Sequence, residues 1–320
     1  MTIQFVLLAV GLVFILMGAN WLVDGASSIA KKTGMSEFII GLTIVGIGTS
    51  TPEMVVSFIS AIQGKSDMAI GNVIGSNIFN TLMILGVTAM ITPLIITKES
   101  LKRDIPLNIF VTVLLILLGM KSTIFGVGSD RLTRIDGIIL LAIMVMYFRL
   151  LLRKPDNVQE SEDDDDSIKV MGTGKSIFLI ILGLAGLVLG GRVFVNSATA
   201  IANHFHMSEK FIAITIMAAG TSLPELATSV VAAFKGRGQL ALGNILGSNI
   251  SNILLILGGS ALIHPLSFSS ITAVDLGTVL LAAVFILVCA FAFTSRKIDR
   301  FEAAILLLME AGYMTWLFIS

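Results

Sequence analysis

Two glutamates carry the chemistry that this sequence offers. Glu53 and Glu225 each lie inside an apolar stretch, and each directly follows a proline in the segments Gly48-Thr-Ser-Thr-Pro-Glu53 and Gly220-Thr-Ser-Leu-Pro-Glu225. A carboxylate within a bilayer is costly and marks a functional site by default. Proline lacks an N–H and clashes with the carbonyl four residues back, here Gly48 or Gly220, so both segments are expected to be kinked or locally unwound. Freed carbonyls then join the hydroxyls of Thr49, Ser50, Thr221 and Ser222 around the two acids. An all-oxygen set with two formal negative charges suits Ca²⁺, which takes about six to eight oxygens. Na⁺ accepts the same hydroxyls and carbonyls. Soft metals want Cys or His, and neither occurs in these segments. A hydrolytic site would need a base beside an oriented nucleophile, and no histidine lies near either motif.

The two segments belong to a longer internal repeat. Residues 41–86 and 213–258 align without a gap at an offset of 172, with 22 of 46 positions identical. Identity concentrates on Gly, Pro, Ser, Thr, Asn and Glu, which shared apolar composition cannot explain. Downstream of each glutamate runs a companion motif, Gly71-Asn-Val-Ile-Gly-Ser76-Asn77-Ile-Phe-Asn80 and Gly243-Asn-Ile-Leu-Gly-Ser248-Asn249-Ile-Ser-Asn252. Its glycines are spaced i, i+4, a pattern that lets membrane helices approach closely. Ser76 with Asn80, and Ser248 with Asn252, share one helix face and are read as lining the same site.

Ten apolar segments position these motifs: about 3–23, 37–62, 67–91, 105–120, 134–152, 175–200, 210–234, 238–263, 271–294 and 298–319. The expected fold is an all-α membrane protein of ten transmembrane helices, with helices two and seven broken at the glutamates. Each half, 1–152 and 175–320, holds five spans around an acidic linker at 153–174. Five is odd, so the second half must enter the membrane upside down. Inverted repeats with a midplane site are a hallmark of secondary transporters, and a passive channel has no general need of them.

Composition agrees. With 55% hydrophobic and 13% charged residues and a mean hydropathy of +0.96, the chain needs a bilayer as its solvent. Formal net charge is zero, which gives no field for nucleic acid. Cys289 is the only cysteine, and His204, His206 and His264 form no HExxH pattern, so no Cys- or His-based metal site is expected. Residues 1–23 hold no Lys or Arg and do not read as a cleavable signal. With the N-terminus outside, alternate connections place 15 basic residues inside and 6 outside. Both termini are thus expected outside and the linker in the cytoplasm. The linker's run Glu160-Ser-Glu162-Asp163-Asp164-Asp165-Asp166 lacks the fixed spacing of a Ca²⁺ loop and reads as a solvated acidic segment.

Taken together, the doubled Gly48–Glu53 and Gly71–Asn77 elements resemble the two alpha-repeats of the cation/Ca²⁺ exchanger superfamily, specifically its prokaryotic Na⁺/Ca²⁺ exchangers. The resemblance covers nearly the whole chain. It implies Na⁺/Ca²⁺ antiport across the plasma membrane, with Glu53 and Glu225 as central ligands. It further implies ion contacts from Thr49, Thr221, Ser50, Ser222, Ser76, Ser248 and the carbonyls of Gly46 and Ala218, with Asn80 and Asn252 flanking the centre. The first and sixth spans would slide across the rest to switch access. No cofactor and no obligate protein partner are implied. Some relatives carry Asp where this chain has Asn252, which argues for K⁺-independent exchange here. Ca²⁺/H⁺ exchangers of the superfamily carry a glutamate in the Gly-Asn motif, where this chain has Gly-Ser-Asn; Ca²⁺/H⁺ antiport is the alternative. Glu310, inside the last span, has no repeat partner and no role in this reading.

Overall fold

A backbone in hydrocarbon can satisfy its N–H and C=O groups only from within the segment, and the apolar runs of this chain are accordingly helical. The computed structural model describes residues 2–153, 170–205, 218–292 and 296–319; the acidic run at 160–166 lies outside them. In chain order the helices are α1 (Thr2–Thr33), α2 (Glu37–Thr49), α3 (Thr51–Ile62), α4 (Ser66–Ile91), α5 (Ile105–Gly119) and α6 (Arg134–Arg153). There follow α7 (Thr173–His204), α8 (Leu223–Phe234) behind a helical turn at Ala218–Thr221, α9 (Gly238–Ile263), α10 (Ala273–Ala292) and α11 (Arg300–Ile319). Among the described residues six are long and apolar enough to cross a membrane, or seven if α2 and α3 form one bent span.

The helices that carry the companion motif form the centre. In α9, 94% of the apolar stretch is buried, and in α4 72%, against 33% in α1 and in α7. Gly243 and Gly247 allow the backbone of α2 to lie directly on α9: a Cβ on Gly247 would stand 2.6 Å from the Leu42 Cα. The outer pair α1 and α7 pack on each other through glycines as well. A Cβ on Gly18 would meet the Gly183 carbonyl at 2.7 Å, and one on Gly11 would meet the Phe194 amide at 2.7 Å. Close small-residue contact of this kind substitutes for the hydrophobic drive that lipid removes. At one end of the pair the Ser176 hydroxyl bonds the Ser28 hydroxyl at 2.9 Å. The remaining face of α1 is lined by Phe5, Val6, Val10, Val13 and Phe14, all exposed, as a lipid-facing helix requires.

Two short strand pairs link the halves. Leu94–Ile95, after α4, pairs antiparallel with Lys297–Ile298, before α11. Arg131–Leu132, before α6, pairs antiparallel with Leu266–Ser267, after α9. Since α9 repeats α4, exchanging the halves maps one pair onto the other.

Candidate functional site

The site is built on the break that the prolines dictate. Ser50 leaves helical geometry at φ −76°, ψ 10°, and Ser222 does so at φ −87°, ψ 8°. α2 and α3 meet there at a bend of 47°. Pro52 and Pro224 then fall in the first turn of α3 and α8, where no intrahelical N–H is needed. Glu53 and Glu225 sit in the same first turns, where the positive end of the helix dipole favours an anion. The carbonyl of Gly48 that Pro52 cannot satisfy accepts from the Thr51 hydroxyl at 2.7 Å. Position 223 is leucine, so the second break has no such bond.

Both glutamates are about 1% exposed and each is held by the opposite half. Ser50 donates to the Glu225 Oε1 at 2.9 Å, and Ser222 donates to the Glu53 Oε1 at 3.1 Å. Among the described residues the second oxygens, Glu53 Oε2 and Glu225 Oε2, have no hydrogen-bond partner, and no ion pair to either acid exists. The side-chain oxygens of Asn80 and Asn252 are likewise buried and unpartnered. Four acceptor oxygens at two repeat-related pairs of positions are therefore left open. An unsatisfied buried acceptor costs about 1–3 kcal/mol, more for a charged one, so four together call for a bound donor or cation.

The asparagines owe their orientation to residues that sequence reasoning did not assign to the site. The Asn80 amide nitrogen donates to the Asn249 Oδ1 at 3.2 Å, and that of Asn252 donates to the Asn77 Oδ1 at 2.9 Å. With both N–H₂ groups tied across the α4–α9 contact, the carbonyl ends of Asn80 and Asn252 remain for a ligand. Asn72 and Asn244 play a second unassigned part. Each donates to the glutamate's own backbone carbonyl, at 3.2 Å to Glu53 and 3.4 Å to Glu225, and to Ser57 or Ser229 at 3.0 and 2.9 Å. The signal was present, since all four asparagines are identical between the repeats. Directly after Asn80 and Asn252 the helices widen into π turns, Asn80–Ile84 and Asn252–Leu257, a form frequent at functional sites.

The other expected contacts stand close by with mixed availability. Thr49 donates to the Val45 carbonyl at 3.0 Å and lies 3.1 Å from the Asn244 Oδ1. The Gly46 carbonyl already accepts from the Ser248 hydroxyl at 3.2 Å and from the Ser50 amide at 3.2 Å. Ser76 is buried at the position matching Ser248. Thr221 lines a cavity of about 190 Å³ with Pro52, Pro224 and Arg192. Ala218 opens the helical turn ahead of the second break.

A family model described as sodium/calcium exchanger protein matches residues 3–153 and 175–319. CaxA of Alkalimonas amylolytica is 38% identical over 100% of both chains. The sodium/calcium exchanger MaX1 of Methanosarcina acetivorans is 34% identical over 99% of each. The fold superposes on the solved sodium-calcium exchanger NCX_Mj with a TM-score of 0.84 and 30% identity, covering 99% of this chain and 100% of that one.

Proposed function

The chain belongs to the sodium/calcium exchanger protein family, and from that premise we propose that it exchanges Ca²⁺ for Na⁺ at the paired glutamates as a secondary active transporter. The observation that carries the reading is the set of four open oxygens on Glu53, Glu225, Asn80 and Asn252, buried at repeat-related positions. Two carboxylates balance one Ca²⁺, and the neutral amide oxygens extend the all-oxygen shell that a hard cation prefers. The same pair balances two Na⁺. Hydroxyls of Thr49, Thr221, Ser50, Ser222, Ser76 and Ser248 and the carbonyls of Gly46 and Ala218 supply room for a further Na⁺, which makes exchange electrogenic. Substrate ions are the only ligands required; no cofactor, nucleic acid or obligate partner enters the cycle.

The arrangement proposed is ten spans in two inverted halves, with α2–α3 and the segment ending in α8 as broken helices two and seven. Both termini lie outside the plasma membrane and the 153–174 linker inside. The peripheral, glycine-packed α1–α7 pair slides over the buried α4–α9 centre to change the face to which the site opens.

The decisive experiment is ⁴⁵Ca²⁺ uptake into Na⁺-loaded proteoliposomes with and without an outward Na⁺ gradient. Uptake that needs the gradient is the expected result. Uptake that ignores Na⁺ and follows a pH gradient instead would establish Ca²⁺/H⁺ antiport.

A further inference from the structure

The last helix carries a carboxylate that the central site does not use. Glu310 is 2% exposed in α11, and its Oε2 is buried without a hydrogen-bond partner. It lines a cavity of about 370 Å³ with Asp67, Gly75, Ala219, Asp275 and Tyr313 among the walls. Among the described residues the charged groups facing this space, from α4, α10 and α11, are all acids. Two of the acids have donors of their own. Asp67 accepts from the Ser270 hydroxyl at 2.7 Å, and Asp275 accepts from the Tyr313 hydroxyl at 2.7 Å and from the Thr272 amide at 2.9 Å. Of these three acids only Glu310 is buried with an oxygen that lacks a partner among the described residues. A lone buried carboxylate is expensive unless a cation or proton accompanies it.

The position of the cavity gives that acid a use. Its inner wall includes Gly75 and Ala219, each one or two residues from Ser76 and Thr221 of the central site. Asp67 and Asp275 stand at the helix ends, in the first turns of α4 and α10. A negatively lined cavity with helix-end acids on one part of its wall and sequence neighbours of the expected ion ligands on another concentrates cations within it. The three acids do not converge as one cluster able to hold a metal among the described residues, so a dication would meet only one carboxylate at a time. A monovalent cation is balanced by one carboxylate.

From this geometry we infer that Glu310 is a second, peripheral Na⁺ site, at which Na⁺ rests between the Asp67–Asp275 rim and the central glutamates. The inference rests on the Na⁺/Ca²⁺ reading of the central site, and the test separates the two. Na⁺-driven ⁴⁵Ca²⁺ flux is measured in proteoliposomes against Na⁺ concentration, with Na⁺ varied on each side in turn. In Glu310→Gln the Na⁺ concentration for half-maximal flux should rise about three- to tenfold on one side of the membrane. The Ca²⁺ half-saturation and the flux at saturating Na⁺ should stay at the wild-type level, and Glu310→Asp should restore most of the Na⁺ dependence. An unchanged Na⁺ dependence in Glu310→Gln overturns the site, as does an equal shift for Na⁺ and Ca²⁺. If Glu310→Gln does not yield folded protein, Asp67→Asn is the substitute. It should raise the Na⁺ requirement about twofold at low ionic strength, with the effect lost in choline chloride of about 0.5 M, because surface charge is screened. No shift at low ionic strength overturns the route. Loss of Na⁺ coupling in the wild-type protein itself would instead fail the reading of the central site.

Discussion

At the scale of single residues, charge decides more than geometry. A carboxylate–cation pair at about 4 Å and an effective dielectric of about 20 is worth about 4 kcal/mol per unit charge pair, while a hydroxyl bond to a charged carboxylate is worth about 1.5–3 kcal/mol. Glu53→Gln and Glu225→Gln should therefore each reduce ⁴⁵Ca²⁺ uptake to less than a tenth of wild type. Ser50→Ala and Ser222→Ala, which remove only the donors to Glu225 and Glu53, should shift the Ca²⁺ half-saturation by about tenfold. A glutamine variant with near-normal uptake would sink the assignment of that acid. The amides make a second case. Because Asn80 and Asn252 are neutral amides, the proposed site offers only the two negative charges of Glu53 and Glu225 among the described residues. Exchange should then proceed equally in K⁺ and in choline at fixed membrane potential. Asn252→Asp adds a third charge and should alter the response to K⁺, where a surface change such as Lys98→Ala does not. A strict K⁺ requirement in the unmodified protein contradicts the argument from Asn252.

At the scale of elements, what the sequence reveals follows from how local the cause is. Pro52 and Pro224 act on their own turns, so the breaks at Ser50 and Ser222 are legible from one line of text. The repeat makes Glu53, Glu225, Asn80 and Asn252 legible as a set, because identity at polar positions stands out against apolar spans. The crossed bonds are not legible. That Ser50 holds Glu225 while Ser222 holds Glu53 depends on how the halves face each other, which no local pattern encodes. The π turns after Asn80 and Asn252 lie in ordinary apolar sequence and carry no signal either. The glycine spacing predicts close packing, and α9 lies against α2 through Gly243 and Gly247; the residues at 210 and 214 that would pack in the same way on Gly71 and Gly75 lie outside the described residues. The outer pair gives a test of motion. If α1 and α7 slide as one body, a disulfide between them is harmless and one from α1 to the rest is not. With Cys289 replaced by Ser, oxidised Ser28→Cys/Ser176→Cys, whose hydroxyls touch at 2.9 Å, should keep more than half of the flux. Asp24→Cys/Lys235→Cys, at an ion pair of 2.7 Å between α1 and the residue after α8, is joined by a bifunctional methanethiosulfonate, because the lysine side chain spans more than a disulfide can; it should lose more than about 90% and recover on reduction. Equal flux in both linked proteins would rule out sliding of the pair.

At the scale of the whole molecule, the balance of ions and charges fixes how the membrane potential acts. The central pair of carboxylates is neutralised by one Ca²⁺ or by two Na⁺. If the surrounding hydroxyls and carbonyls take one Na⁺ more, a cycle that brings in one Ca²⁺ sends out three Na⁺ and removes one net positive charge from the vesicle. An interior-positive potential must then favour Ca²⁺ uptake, and an interior-negative one must oppose it. The effect is large enough to read, since one charge across 100 mV is worth about 2.3 kcal/mol and each 1.4 kcal/mol is a factor of about ten in the equilibrium. With Na⁺-loaded vesicles and valinomycin, K⁺ outside sets the interior positive and K⁺ inside sets it negative. Steady-state Ca²⁺ accumulation should be higher by about an order of magnitude for every 60 mV of interior-positive potential. The measurement compares the two K⁺ arrangements at one Na⁺ gradient, and the K⁺-independence argued from Asn252 lets the ion serve only to set the potential. Repeating it with a proton diffusion potential set by a protonophore removes K⁺ altogether and should give the same slope. Accumulation that depends on the Na⁺ gradient but not on the potential would mean that two Na⁺ leave per Ca²⁺. The hydroxyl and carbonyl positions would then coordinate the substrates without holding an additional ion.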